Sequence, residues 1–217
     1  MAVYLARGIP EFLLEFGNAD SSETLSDQQI AAYHGKFPDI LLKFWKEQGW
    51  GGYGEGVFWT VNPADYHEVL QEWLVGTPHE NEPDNYVFAR TAFGSLFIWN
   101  SKKGYMFELS IPYHWLIPGT GGDEMESYEL ERNIDSFFFT RNKEHFDETD
   151  ESDKPLFKRA LKKLGPLESH EMYGFVPAVS LGGKKLLKNL QKVDILVHLS
   201  ILAKLKPTEM FNYNNYR

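Results

Sequence analysis

The chain has 217 residues, 42% of them hydrophobic and 15% aromatic, enough to fill one large domain or two small ones and not the composition of a mainly disordered chain. Its 22 basic residues are outnumbered by 31 acidic ones, a net charge of −9. That charge argues against nonspecific attraction to nucleic acid or an anionic membrane, and a basic partner is its natural complement. The absence of cysteine excludes disulfides, thiol catalysis and cysteine-containing zinc sites, and fits a reducing compartment.

The opening "MAVYLARGIPEF" has no apolar run of signal-peptide length. Ser26 followed by Gln29 has the form of a capping box and predicts a helix over "DQQIAAYHG". In "FPDILLKFWKEQGW", Pro38 stands near the start and Gly49 just past the end, and Ile40, Leu41, Phe44 and Trp45 share one helical face. Asn62 and Pro63 open a third helix with a stripe of Tyr66, Val69, Leu70, Trp73 and Leu74. Between these helices, "GGYGEG" reads as a tight backbone turn joining helix to strand.

From about residue 56 to about residue 118 the pattern changes. "GVFWT", "YVFARTAF", "SLFIWN", "GYMFELS" and "YHWLI" are short β-branched and aromatic runs separated by turn residues, which predicts a meandering antiparallel sheet. "IDSFFFT" (134–140) is expected to be a further strand. The acidic run 143–155 leads into "KPLFKRALKKLG", a helix with Asp153 as its expected cap, Leu156, Phe157, Ala160, Leu161 and Leu164 on one face, and Gly165 at its end. A last helix is expected over 188–205, where Asp194 and His198 stand one turn apart. The stretch 193–205 is too short and too polar to span a bilayer, so the expectation is a soluble, cytoplasmic protein. The fold class is α+β: an antiparallel central sheet with flanking amphipathic helices, in one or two closely packed domains. The expected division is 1–117, 128–207 and a tail at 208–217, with the glycine-rich "PGTGGDEMES" (118–127) as the seam.

Catalytic patterns fail one after another. Two histidines one turn apart would be needed for a metalloprotease helix, but "HEMYG" at His170 has Gly174 in the second place and "HEVLQ" at His67 has Gln71. No Gly-x-Ser-x-Gly elbow is present. "GGYGEG" lacks the lysine and hydroxyl residue of a phosphate loop. Glu168 and Glu171 are the one carboxylate pair in a partly apolar setting, beside "EMYGFVPAV". In that run Met172, Tyr173, Phe175 and Val176 read as the apolar wall of a turn and strand, with Gly174 allowing a close approach and Pro177 fixing the exit. Neither catalytic residues, nor cofactor, nor metal ligands are assigned. The six tryptophans read as core, though they could line an aromatic groove.

Two extended stretches carry a family pattern. "KFPDILLKFWKEQGWGGYGEGVFWTVNPADY" resembles the N-terminal GAD-like domain of bacterial immunity proteins. "PLFKRALKKLGPLESHEMYGFVPAVSLGGKKLLKNLQKVDILVHLSILAKL" is similar to the C-terminal domain that accompanies it, and "FARTAFGSLFIW" fits the sheet between them. The resemblance implies a cognate immunity protein of a type VI secretion effector, a DNase toxin, which it binds and silences. The alternative reading is a small-ligand-binding module or hydrolytic enzyme using the aromatic cleft. Family motifs assign no toxin-contacting residues. Acidity gathered into loops supplies the candidates: Glu80, Glu82 and Asp84 in "HENEPDN", and Asp123, Glu124 and Glu126 in "GGDEMES", with a third cluster from Asp147 to Asp153.

Overall fold

A computed structural model describes residues 6–212. Chain order gives α1 (Gly8–Phe16), β1 (Ser21–Glu23), α2 (Asp27–Ala31), α3 (Asp39–Gln48), β2 (Trp50–Tyr53), β3 (Phe58–Thr60), α4 (His67–Leu74), β4 (Asn85–Thr91), β5 (Leu96–Asn100), β6 (Gly104–Ser110), β7 (Trp115–Pro118), α5 (Ser127–Phe139), α6 (Phe157–Leu164), β8 (Glu171–Phe175), β9 (Leu190–Asp194), α7 (Ile195–Ala203) and β10 (Glu209–Met210). Strands β1 to β7 pair in sequence order, each antiparallel to the next, and β10 closes the far edge parallel to β7. Strands β8 and β9 form a separate antiparallel pair. The fold is α+β with a predominantly antiparallel central sheet, as the alternating aromatic runs predict.

The sheet buries aromatics on both faces. On one, Phe58, Phe88 and Phe97 meet Phe137 of α5 at ring separations of 6.4, 4.9 and 5.2 Å, and Phe12 of α1 meets Phe58 at 5.3 Å. On the other side α4 and α7 run together, joined by the Trp73 indole N–H donating to the Leu199 carbonyl at 3.0 Å. Strand β8 joins the sheet through its Tyr173 N–H, which donates to the Ala92 carbonyl at 2.9 Å, and through Phe175 stacked on Phe93. These contacts belong to one continuous core.

Local signals explain most helix boundaries. Ser26 and Gln29 form the expected reciprocal capping box. Asn62 accepts the Ala64 N–H and opens a 3-10 turn that runs into α4. Of the predicted α3 face, Leu41, Phe44 and Trp45 are buried and Ile40 is half-buried.

Four expectations are corrected. Residues 134–140 are not a strand: 134–139 lie in α5 and Thr140 ends it, and the helix start is fixed by a capping box of Glu126 and Glu129, with Ile134, Phe137 and Phe138 buried at helical spacing. The expected helix over 188–205 is a strand followed by a helix. Asp194 sits at the junction and caps α7 by accepting the Val197 N–H at 3.0 Å, instead of pairing with His198. Asp153 does not cap α6. That role falls to Asp147, whose Oδ1 accepts the N–H groups of Leu156 and Phe157 at 3.3 and 2.8 Å. Finally, "GGYGEG" does not join helix to strand: its first residues form β2, and Gly54, Glu55 and Gly56, all at positive φ, turn the chain from β2 into β3.

Within "EMYGFVPAV", Met172, Tyr173 and Phe175 are buried as the predicted wall, whereas Val176 is exposed. Gly174 does meet a close approach, since a Cβ there would stand 2.8 Å from Val193 and 2.9 Å from the His198 ring. The Val176–Pro177 peptide is cis. The tail expected at 208–217 contributes β10, and its last five residues lie outside the described ones.

Candidate partner-binding surface

Two of the predicted acidic loops come together. The turn Ser101–Lys103 between β5 and β6 holds both: the Ser101 N–H donates to the Asp84 carbonyl, and the Met125 N–H to that of Lys102. Within this edge the six candidate residues have different duties. Glu82 accepts from Lys103 Nζ at 2.9 Å, from Asn85 at 3.2 Å, and lies 2.9 Å from His79 Nδ1. Burial opposes its ionisation, but these partners outweigh it and hold its carboxyl down at about 2. Asp84 pairs with Lys102 at 3.1 Å, Glu80 accepts the Gly76 N–H at 2.9 Å, and Glu126 caps α5. Asp123 and Glu124 are exposed and form no ion pair among the described residues. They are the two candidates whose charge is open to a partner.

The third acidic cluster is largely used by the fold. Asp147 caps α6, Asp150 pairs with Arg159 at 2.6 Å, Glu151 with Lys184 at 3.7 Å, and Glu148 with Lys185 at 3.5 Å.

A second site was not predicted, because its walls come from four distant parts of the chain. A cleft of about 400 Å³ opens between β1, the β3–α4 connection, residues 168–170 and the start of α7. Trp50, Trp59 and Tyr66 give it aromatic walls, and Glu23, Asp65, Glu168 and Asp194 line it with carboxylates. None of those four carboxylates forms an ion pair with a cation among the described residues. Burial raises the Asp65 carboxyl, against a hydrogen bond from the Asn62 amide. Beneath the cleft lies Arg90 of β4, fully buried, its guanidinium 4.6 Å from the Trp59 ring. It donates to the carbonyls of Thr91 at 3.2 Å and Ser169 at 3.0 Å, so it ties the sheet to the segment that forms the opposite wall. Of the two carboxylates singled out near the "EMYGFVPAV" run, Glu168 lines the cleft, while Glu171 is held by Lys192 at 2.7 Å. His170 also lines the cleft. Among the described residues no group of three or more His, Asp or Glu is arranged to hold a metal ion, and no helix is long and apolar enough to cross a membrane.

The acidic edge and the cleft lie toward opposite ends of β4. Asn85 at its start hydrogen-bonds Glu82, while Arg90, near its end, reaches Ser169. At about 3.4 Å per residue, five steps along an antiparallel strand separate the two regions by about 17 Å.

The fold thus carries two surface features, an acidic edge at one end of β4 and an acidic, aromatic cleft at the other. Residues 8–113 match the GAD-like domain, and residues 131–206 match the family described as T6SS immunity protein Tdi1, C-terminal. Both matches fall on this one chain, in the order the sequence resemblance implies. A crystal structure of Atu4351 from Agrobacterium tumefaciens is similar, with a TM-score of 0.84 and 26% sequence identity over 96% of this chain and 93% of that one. No curated protein matches. The cleft takes one wall from each matched part: Trp59 and Asp65 from the first, Glu168 and Asp194 from the second.

Proposed function

We propose that this protein is the immunity partner of a type VI effector, a DNase toxin, and that it neutralises that toxin in the cytoplasm by covering its active site or DNA groove. The observation that carries this reading is the match of residues 131–206 to the C-terminal part of a type VI immunity protein. Surface chemistry supports the choice of toxin. A nuclease presents basic side chains to phosphate, and a chain of net charge −9 with unpaired carboxylates complements such a surface. The protein acts by binding and not by turnover. Asp123 and Glu124, together with the partly neutralised Glu80, Glu82, Asp84 and Glu126, form an edge that steers the toxin's basic face during approach.

Co-expression with its cognate type VI effector tests the proposal. Pull-down should recover a complex, and the toxin's cleavage of plasmid DNA should cease when the complex forms. An effector that cuts DNA at full rate in the presence of an excess of this protein would refute it.

A further inference from the structure

Helix α7 is apolar on more sides than the fold covers. Ile195, Leu199 and Leu202 are buried against the core. On the outer side Val197 and Ile201 are 59% and 53% exposed, and Leu205, just past the helix end, is 45% exposed. Val197 and Ile201 stand at i and i+4 on one side of the helix, about 6 Å apart along its axis, and Leu205 continues the apolar run past the helix end. A surface helix ordinarily turns a polar face to water, and a helix apolar all round is ordinarily buried. The nearest charged residue along this side, Lys204, is turned to Glu72 of α4 at 3.1 Å.

The stripe begins where the cleft ends. Asp194, Ile195 and Leu196 form a wall of the cleft, and Val197 is the next residue. Cleft and stripe thus make one surface with an acidic, aromatic hollow at one end and an apolar ridge at the other. The hollow has the chemistry of a receptor for an organic cation. Its four carboxylates form no ion pair among the described residues, and Arg90 is sealed beneath Trp59. Trp50 on its wall is only 7% exposed, and its indole N–H has no acceptor among the described residues. Carboxylates beside indole faces suit a guanidinium best, since it accepts both in-plane hydrogen bonding and stacking. The positive end of α7 opposes a cation there, but the Asp194 cap offsets it.

We propose that this composite surface, the seam cleft with the outer stripe of α7, is the main docking face for the toxin. The occupant is a basic protein surface that inserts an arginine or lysine into the cleft and lays an apolar patch on Val197 and Ile201. Tight complexes rest on a few desolvated anchors, with surrounding charge tuning the rate of encounter. The cleft and stripe supply anchors, which the open carboxylates of the acidic edge do not.

The inference rests on the immunity reading, and the test separates the two. Binding is measured by biolayer interferometry against the cognate effector, held as a nuclease-dead variant, across a salt series. Three forms are compared with the parent: Val197→Glu with Ile201→Glu, Glu168→Lys with Asp65→Lys, and the conservative Val197→Leu. Asp194 is left in place because it caps α7. The expected result is a loss of about a hundredfold in affinity for the first. For the second, dissociation should speed up about tenfold or more, with association changing less. Val197→Leu should bind as the parent does. Melting curves verify that each variant is folded, and if the first is not, the exposed cleft variant decides alone. Parent binding with all variants within about twofold of it overturns this docking face and leaves the immunity reading standing. A parent that does not bind the effector overturns both. A parent that dimerises by itself through this face, and is made monomeric by Val197→Glu with Ile201→Glu, shows a second copy as the occupant and also overturns the proposal.

Discussion

Replacing Trp45 probes the aromatic interior that holds α3 to the sheet. The side chain is fully buried, and its ring meets Phe37 at 4.9 Å and both Tyr33 and Trp50 at 5.9 Å, each edge-on. Truncation to alanine removes the transfer energy of a large side chain and leaves a cavity, a loss of about 3–5 kcal/mol. One feature works the other way. The indole N–H of Trp45 has no acceptor among the described residues, so its removal relieves a penalty of about 1–3 kcal/mol. The net loss for Trp45→Ala is therefore about 2 kcal/mol. Trp45→Phe keeps most of the ring contacts and also removes the unpaired donor, so it should cost about 1 kcal/mol or less. Urea unfolding followed by far-ultraviolet circular dichroism measures both, independently of tryptophan emission. An alanine variant within about 1 kcal/mol of the parent at unchanged m-value would refute the burial account. A phenylalanine variant as damaged as the alanine one would refute the role given to the unpaired N–H.

Other outcomes follow from single side chains. Asp147→Ala strips the acceptor from the N–H groups of Glu148 and Phe157, while the Leu156 N–H keeps the Glu148 carbonyl, and should cost about 1–3 kcal/mol in the same urea assay, with Asp147→Asn losing less. Burial pushes the Glu108 carboxyl up to about 7, against the nearby Arg141 guanidinium. The folded state then keeps a proton that the unfolded chain releases near pH 4.3, so stability falls as pH rises from about 4.3 to about 7. Glu108→Gln should remove that fall, matching the parent at pH 4 and melting higher at pH 8; parallel melting profiles would contradict it. Reversing Asp123 and Glu124 to lysine should slow association with the effector and weaken its salt dependence while leaving the melting temperature unchanged; unaltered kinetics would remove the steering role of this edge.

The central sheet was legible because alternation and turn residues are local signals, and its strands pair with their sequence neighbours. Helix α5 was misread because Phe137, Phe138 and Phe139 form a run that suits a strand as well as a helix. The Glu126–Glu129 capping box that decides the matter lies in a stretch whose glycines suggest only a loop. The boundary at Asp194 failed for a similar reason: the apolar residues on either side hide the change of period, and only the side-chain cap marks it. Helix α1 carries its own signal in Ile9, Phe12 and Phe16 at helical spacing, but its start is held by Asp135, which accepts the Gly8 N–H across more than a hundred residues of sequence. No local pattern contains that bond. The same limit hid the cleft. Glu23, Asp65, Glu168 and Asp194 are unremarkable in sequence, and only the packing of α7 and residues 168–170 against β3 makes them one site. The acidic loops were visible as charge, but not the fact that Lys102 and Lys103 already answer Asp84 and Glu82.

The most direct measurement is a titration of the purified protein into a DNA-cleavage assay of its cognate type VI effector. The account predicts that cleavage declines in proportion to the protein added and stops once the toxin is saturated, with the endpoint unmoved by further dilution of both. Undiminished cleavage at a large molar excess of folded protein would contradict it.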